Sequence, residues 1–158
     1  MSASALEEAI APFRSKFEQA FNNKDKDPDA LMALFTKNTL FFNVGDPDLI
    51  TSSDGVRALL TRSHGLKIKL GDYSVVQVAP NVLLSSGYFD MTFFDGRTVS
   101  YRLTWALVKS RNDWLIAQSH TSFLPRPEIN PPRPEIDQPR TEINPPRRMM
   151  NPSPRYRY

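Results

Sequence analysis

Residues 82–123 read VLLSSGYFDMTFFDGRTVSYRLTWALVKSRNDWLIAQSHTSF. Three segments of this stretch, 82–94, 99–109 and 114–123, alternate large apolar residues with polar ones, which is the period-two pattern of β-strands. Turn-forming residues separate the segments, Asp95-Gly96 in the first gap and Asn112-Asp113 in the second. The stretch therefore predicts a meander of long antiparallel strands.

The N-terminal residues have a helical pattern instead. Over residues 3–22, large apolar side chains recur at spacings of three and four, which predicts an amphipathic helix. Its charged residues, Arg14 among them, are expected to face water. The buried stripe of this helix is expected to comprise Leu6, Ile10, Phe13, Phe17 and Phe21.

Shorter elements lie between this helix and the meander. Capping residues predict two more helices, over 28–34 and 54–62, and β-forming residues predict strands over 39–44 and 74–78. Helices followed by a meander are typical of an α+β fold, with the helices on one face of an antiparallel sheet. We therefore expect one such domain over residues 1–124.

Composition excludes several classes of function. The chain has no cysteine and only two histidines, so we expect no thiol chemistry, no metal and no other cofactor. Residues 1–124 contain 13 basic and 13 acidic side chains, so the domain has no net charge to favour nucleic acid. No apolar run is long enough to span a bilayer and the N-terminus lacks signal-peptide features, which predicts a cytoplasmic protein without a membrane partner.

Residues 125–158 differ sharply in composition. They contain ten of the 14 prolines, and seven arginines against four acidic residues give them a net charge of +3. A seven-residue unit recurs as PRPEINP, PRPEIDQ and PRTEINP, followed by the degenerate PRRMMNP. This density of proline predicts a disordered tail. The tail is either a passive, solubilising segment or a docking ligand for a protein partner, with the repeated isoleucine as its anchor.

Strand alternation assigns a face to each side chain of the meander. The odd-numbered positions are the more apolar and are expected to face the helices, which requires an odd-length loop such as three residues ending with Gly96 in the left-handed region. The same parity places Ala117 inside and Ile116 outside. The inner face then supplies either plain core packing or the lining of a small, mostly apolar pocket. The candidate lining residues are Phe89, Met91, Tyr101, Leu103, Trp105, Ser119 and Thr121, with Asn43 from the first strand.

The even-numbered face is the candidate interface. We expect Asp90, Arg102 and His120 to form one cross-strand row on this face, with Arg102 in the middle. Pairs of a carboxylate and a guanidinium on an outer sheet face are more often structural or interfacial than catalytic. The row therefore indicates a contact surface and not an active site.

The closing residues WLIAQSHTSFLP, 114–125, and the preceding YRLTW, 101–105, resemble the nuclear transport factor 2-like (SnoaL-like) superfamily. Within it, they are most similar to the association domain of calcium/calmodulin-dependent kinase II and to related small bacterial proteins. The resemblance covers about residues 5–125. It implies a cone, in which a curved antiparallel sheet wraps around three helices (a cystatin-like roll) and leaves a pocket between them. It also implies a homodimer or larger ring built through the outer sheet face, where Tyr88 adds apolar bulk.

Departures from the family pattern bear on chemistry. The resemblance places Phe89, Trp105 and Thr121 where the kinase association domain directs arginines into its pocket, so a preference for acidic ligands is not expected. It places Asn43 where steroid isomerase relatives need a carboxylate base, and an amide cannot accept a proton at neutral pH. No residue is therefore assigned a catalytic role.

Three functions remain open at this point. The first is a non-enzymatic, oligomer-forming domain with a small, mostly apolar ligand pocket. The second is an isomerase, cyclase or dehydratase acting on a small apolar substrate, in which Asp46 or His64, on loops near the rim, would act with Tyr101. The third is a scaffold that docks partners through its proline-rich tail.

Overall fold

Helices come first and long strands last in the computed structural model, which describes residues 2–124. The predictions made for the proline-rich tail lie outside these residues. The elements are α1 Ala3–Asn22, α2 Pro28–Met32, β1 Phe35–Phe42, α3 Ser53–Arg62, β2 Lys67–Ala79, β3 Val82–Thr92, β4 Thr98–Ser110 and β5 Asp113–Phe123.

Helix α1 has the predicted bounds and the predicted apolar stripe. The Ser2 side chain caps it by accepting a hydrogen bond from the Ala5 N–H at 3.3 Å. Its five predicted apolar residues are all buried. Arg14 is buried with them, only 6% exposed, so the expectation that it faces water is wrong.

The strands form one five-stranded sheet in the order β1-β5-β4-β3-β2. Strands β2 to β5 pair with their chain neighbours in antiparallel fashion, as the meander predicts. Strand β1 pairs in parallel with β5, and α3 and three strands lie between the two along the chain. The α+β fold is therefore confirmed, and one edge of the sheet is parallel.

The turn between β3 and β4 sets the register of the meander. The Phe93 N–H donates to the Arg97 carbonyl at 2.9 Å, and Gly96 lies in the left-handed region with φ +81°. The loop is thus the three residues 94–96, as predicted. This register pairs Arg102 with Tyr88 on β3.

The predicted row of Asp90, Arg102 and His120 is wrong in register. Asp90 pairs with Ser100, and His120 pairs with Thr104, so neither lies directly opposite Arg102. All three remain on the outer face, because each of them pairs with another even-numbered residue: Asp90 with Ser100, Arg102 with Tyr88 and His120 with Thr104. The row fails since the confirmed loop moves Asp90 two positions away from Arg102.

A β-bulge at Ala117 corrects the assignment of faces on β5. Leu107 pairs with Ile116 whereas Ala106 pairs with Gln118, so Ala117 is the extra residue. Ile116 is consequently fully buried, not outside as predicted. Beyond the bulge the parity is restored, and Ser119 faces inward as expected.

The core lies between the inner face of the sheet and helix α1. The Trp105 indole is 1% exposed, and its ring meets those of Phe17 and Phe13 edge-to-face at centroid distances of 4.7 and 5.9 Å. Within residues 2–124 no helix combines the length and the apolar character that crossing a bilayer requires. The cytoplasmic location stays a prediction.

Candidate functional site

A cavity of about 380 Å³ opens between the inner sheet face and the helices. Most of its wall is apolar, with aromatic side chains from α1, β1, β3 and β4. Such a volume is in the range of pockets that hold small organic ligands. The aromatic lining consists of Phe17, Phe21, Phe35, Phe41, Phe89, Phe93, Tyr101 and Trp105.

The structure brings together all eight residues predicted to line a pocket. They come from the segment after β1 and from β3, β4 and β5, and each borders this cavity: Asn43, Phe89, Met91, Tyr101, Leu103, Trp105, Ser119 and Thr121. Several of them also belong to the core, since Phe89 and Leu103 are at most 7% exposed. Core packing and cavity lining are therefore combined in one set of side chains, and ligand binding itself stays a prediction.

A chain of hydrogen bonds fixes the polar part of the cavity at the end of β1. The Val44 N–H donates to the Thr121 hydroxyl at 2.9 Å, and that hydroxyl donates to Asn43 Oδ1 at 3.3 Å. Asn43 Nδ2 in turn donates to the Val44 carbonyl at 3.2 Å. The pairing of β1 with β5 positions these groups, because it places Phe42 opposite His120, immediately before Asn43 and Thr121.

Two further residues with hydroxyl groups, Tyr101 and Ser119, line the cavity from the strands. The Tyr101 ring stacks on Phe89 at 5.3 Å and packs against Phe123 at 5.5 Å. Ser119, only 1% exposed, lies opposite Trp105 on the inner face. Both side chains are thus held by their strands and not by mobile loops.

An ion pair lies at the mouth of the cavity. Arg62, in the last turn of α3, donates to Asp46 Oδ2 at 2.9 Å, and both residues line the cavity. Asp46 was expected near the rim, whereas Arg62 was not recognised from the sequence. The sequence placed Arg62 only at the end of the predicted helix 54–62, and no signal in that segment relates it to Asp46.

His64 does not line the cavity. Its side chain is 80% exposed, and Nδ1 lies 3.1 Å from Asp25 Oδ1. Asp25 also accepts a hydrogen bond from the Gly65 N–H at 3.0 Å, and this bond holds the pKa of its carboxyl below the usual value, with Lys24, His64 and Lys67 adding to the effect. The proposed pairing of His64 with Tyr101 therefore has no geometric support.

The outer sheet face carries all four candidate interface residues. Tyr88 is 51% exposed beside Arg102, and the Ser100 hydroxyl donates to Asp90 Oδ1 at 2.5 Å. The His120 ring meets Phe42 at 5.9 Å. Phe42 lies within the strand predicted over 39–44, but strand alternation assigned faces only to the strands of the meander.

The structure defines a class of fold, a sheet with helices on one face and a mostly apolar cavity between the two layers. Within residues 2–124 no three histidine, aspartate or glutamate side chains lie close enough together to hold a metal ion.

Comparison with known proteins identifies the family. The family model described as a SnoaL-like domain matches residues 13–127, which is most of the chain. The chain therefore belongs to the SnoaL-like domain family, as the resemblance of its closing strands predicts. No functionally curated protein matches it significantly.

Solved structures share the fold at low sequence identity. A putative calcium/calmodulin-dependent protein kinase II association domain from Xanthomonas campestris is 18% identical with a TM-score of 0.65, covering 75% of this chain and 87% of its own. An NTF2-like protein from Pseudomonas putida is 16% identical with a TM-score of 0.66, covering 81% and 93%. A protein with a cystatin-like fold from Caulobacter vibrioides is 19% identical with a TM-score of 0.61, covering 75% and 89%. At these identities the likeness shows the fold alone, and it confirms the cystatin-like α+β architecture.

Proposed function

We propose that this chain is a non-enzymatic domain that assembles with copies of itself and holds a small, mostly apolar ligand in its cavity. The observation that carries the proposal is the cavity, about 380 Å³ in volume and walled mainly by aromatic side chains. A concave, mostly apolar space with a few fixed polar groups is the usual form of a small-molecule site.

The polar groups of the cavity favour binding over catalysis. Asn43, at the end of β1, is an amide and cannot act as a base at neutral pH. The carboxylate of Asp46 is engaged by the guanidinium of Arg62 at 2.9 Å. Groups held in this way orient a ligand without transferring protons.

The outer sheet face supports the oligomer. Large apolar side chains are exposed there or at its edge, including Phe42 at 46%, Leu84 at 37% and Tyr88 at 51%. Arg102, exposed between them, supplies a charged group, and half-buried Asp90 supplies its complement. Interfaces are enriched in aromatic residues and arginine, so this face suits a second copy of the chain.

The cavity is tested with the neutral dye N-phenyl-1-naphthylamine, whose fluorescence rises in apolar surroundings. We expect the full chain to bind it, and Met91→Trp, which fills the cavity from β3, to weaken binding at least about tenfold. The control is Val76→Trp on exposed β2, which leaves the cavity unchanged. Equal binding by both variants would overturn the ligand part of the proposal.

The oligomer is tested by light scattering on the full chain. We expect a dimer or larger ring, which Arg102→Glu dissociates because it reverses the charge at the centre of the outer face. Lys26→Glu makes the same charge change at an exposed site after α1 and is expected to preserve the assembly. A monomeric wild-type chain would overturn the oligomer and leave the cavity proposal standing.

An isomerase, cyclase or dehydratase is the second candidate, favoured by one observation. Asp46 and Tyr101 both line the cavity, so a carboxylate and a phenol border one apolar space. Turnover of a bound ketone, followed by NMR and abolished by Asp46→Asn without loss of binding, would favour the enzyme. The third candidate, a scaffold acting through the tail, concerns residues outside the described part of the chain, and loss of a partner on deleting 126–158 would support it.

A further inference from the structure

We propose that the open edge of strand β2, at Tyr73, Val75 and Gln77, pairs in antiparallel fashion with the same edge of a second copy of this chain. The contact continues the five-stranded sheet of one copy into that of the other. It goes beyond the proposed function, because that function places copies against the outer face of the sheet and leaves the edge of β2 unused.

The turn between β3 and β4 fixes which way the backbone of β3 points. The bond from Phe93 to Arg97 makes these two residues a hydrogen-bonded pair, and bonded pairs alternate with non-bonded pairs along an antiparallel ladder. Odd-numbered residues of β3 therefore bond to β4, and even-numbered residues bond to β2. On β2, Ser74 and Val76 pair with even-numbered residues and are bonded to β3. The residues between and beside them direct their N–H and C=O groups away from the sheet, and these are Tyr73, Val75 and Gln77.

Helix α1 covers only the first half of this edge. One extra residue between Leu70 and Tyr73 reverses the alternation, so before it the outward groups belong to Ile68 and Leu70. Asn22 donates to the Ile68 carbonyl at 2.9 Å and accepts its N–H at 2.8 Å, and Glu18 accepts the Leu70 N–H at 2.7 Å. No backbone hydrogen bond to the outward groups of the second half is found within residues 2–124. An uncovered strand edge is a template for a further strand.

The side chains of the second half favour a second copy as the further strand. Residues 74–79 read SVVQVA and have no charged side chain, so pairing with itself brings no like charges together. Val76 is 55% exposed and Val78 is 61% exposed, and a second copy buries part of both. The lysines that usually protect an edge, Lys67 and Lys69, both lie in the half that α1 already covers.

Twofold symmetry sets the register of the contact. All the outward groups find partners when Val75 lies opposite Val75 of the second copy and Tyr73 lies opposite Gln77 of the second copy. Ser74 then lies opposite Val76 of the second copy in a non-hydrogen-bonded pair, with their Cα atoms about 4.5 Å apart. Cysteines at two such positions can form a disulfide, and the chain has no cysteine of its own to compete.

Amide hydrogen exchange, followed by NMR on the full chain, tests the contact. We expect the N–H groups of Tyr73, Val75 and Gln77 to exchange at least about tenfold more slowly in the wild type than in Val76→Lys, which places two like charges near the twofold axis. The control Phe94→Lys adds the same charge at a loop residue that is 87% exposed, and it keeps the slow exchange. Equal exchange in the wild type and Val76→Lys, whether fast or slow, would overturn the proposal.

Crosslinking tests the register without relying on Val76→Lys. The double variant Ser74→Cys with Val76→Cys is expected to form a covalent dimer under mild oxidation, seen on a non-reducing gel. Neither single variant is expected to do so, because its cysteine lies diagonal to that of the second copy, at about 7–8 Å. A double variant that stays uncrosslinked would overturn the pairing.

The edge contact is separable from the outer-face contact of the proposed function. Arg102→Glu is expected to dissociate the outer-face assembly and to leave the slow exchange at residues 73, 75 and 77 unchanged. Loss of that slow exchange in Arg102→Glu would show that the outer face and not the edge holds the copies together, which overturns this inference alone.

Discussion

Arg14 holds a charge inside the core and is compensated by aromatic faces and a carbonyl. Its guanidinium carbon lies 3.7 Å from the centre of the Tyr73 ring and 5.7 Å from that of Trp105, and Nη2 donates to the Gly71 carbonyl at 2.9 Å. Burial lowers the pKa of Arg14, and the Coulomb interactions with Tyr73 and Glu18 oppose this shift. A buried cation needs such partners, so Arg14 ties α1 to the β2 strand.

Replacing Arg14 tests this tie. Arg14→Met keeps the apolar stem but leaves the Gly71 carbonyl without its donor, and we expect a loss of about 1–3 kcal/mol in the free energy of unfolding, measured by urea denaturation. Lys16→Met is the control on the same helix, because the ion pair of Lys16 with Asp113 is half exposed and contributes about 0–1 kcal/mol. Equal losses in the two variants would show that the buried guanidinium has no special role.

Asp25 makes the free energy of unfolding depend on pH in the acidic range. Its folded-state pKa lies below the usual value of 3.8, first because of the Gly65 N–H, so ionisation of Asp25 favours the folded chain. The contribution is fully present above about pH 4 and is lost as the pH falls through the lowered pKa. We expect Asp25→Asn to lower stability at pH 7, and the difference from wild type to narrow below about pH 4. Urea denaturation at both pH values measures this, with exposed Asp48→Asn as the control; a difference independent of pH would contradict it.

Strand β2 contains a bulge that the packing of α1 uses. Leu70 pairs with Phe89 and Tyr73 with Gly87, so Gly71 and Asp72 together face a single residue of β3. A bulge leaves a carbonyl outside the regular ladder, and the Gly71 carbonyl is the one that accepts from Arg14. The bulge and the buried arginine therefore stabilise each other.

Gly87 permits the close approach of β3 to this bulge. A Cβ at this position would collide with the Asp72 carbonyl oxygen and lie 2.7 Å from Tyr73 Cβ. We expect Gly87→Ala to lower the free energy of unfolding by about 1–3 kcal/mol through overpacking. The exposed neighbour substitution Ser86→Ala is expected to change it by less than about 0.5 kcal/mol. Thermal and urea unfolding give both values, and a neutral Gly87→Ala would mean that the two strands separate easily.

At the scale of the whole molecule, the core that the structure describes is built from side chains within residues 2–124. Its fully buried side chains come from all three helices, the Leu34 junction and all five strands, and include Ile10, Leu31, Trp105 and Ile116. We expect a chain ending at Pro125 to keep the circular dichroism spectrum of the full chain and to melt within about 2 °C of it. A loss of about 1 kcal/mol in the free energy of unfolding would lower the melting temperature by more than this, so the comparison detects even a small contribution. A much lower melting temperature would show that residues 126–158 belong to the folded domain.

Much of the candidate site was predictable because it lies on strands with a clear period. On β3 and β4 the alternation of Phe89, Met91, Tyr101 and Trp105 identifies one face, and a turn residue with positive φ at Gly96 sets the parity. The ion pair at the mouth of the cavity was less predictable. Arg62 reaches it from a helix end and pairs with a loop residue, and no local pattern relates two such positions.

The amino-acid sequence determined the order of the elements, the inner faces of β3 and β4 and the membership of the SnoaL-like family, because these depend on local periodicity and on local residue identity. Only the tertiary structure decided that Ile116 is buried, that Arg102 faces Tyr88 and that Arg14 lies among aromatic rings. A bulge changes the face of the side chains on one side of it, here Ile116 before Ala117, without changing the composition of the strand. The local sequence around an arginine is the same whether its guanidinium lies in water or against a tyrosine ring. Its burial is therefore decided by the partners that the fold brings to it.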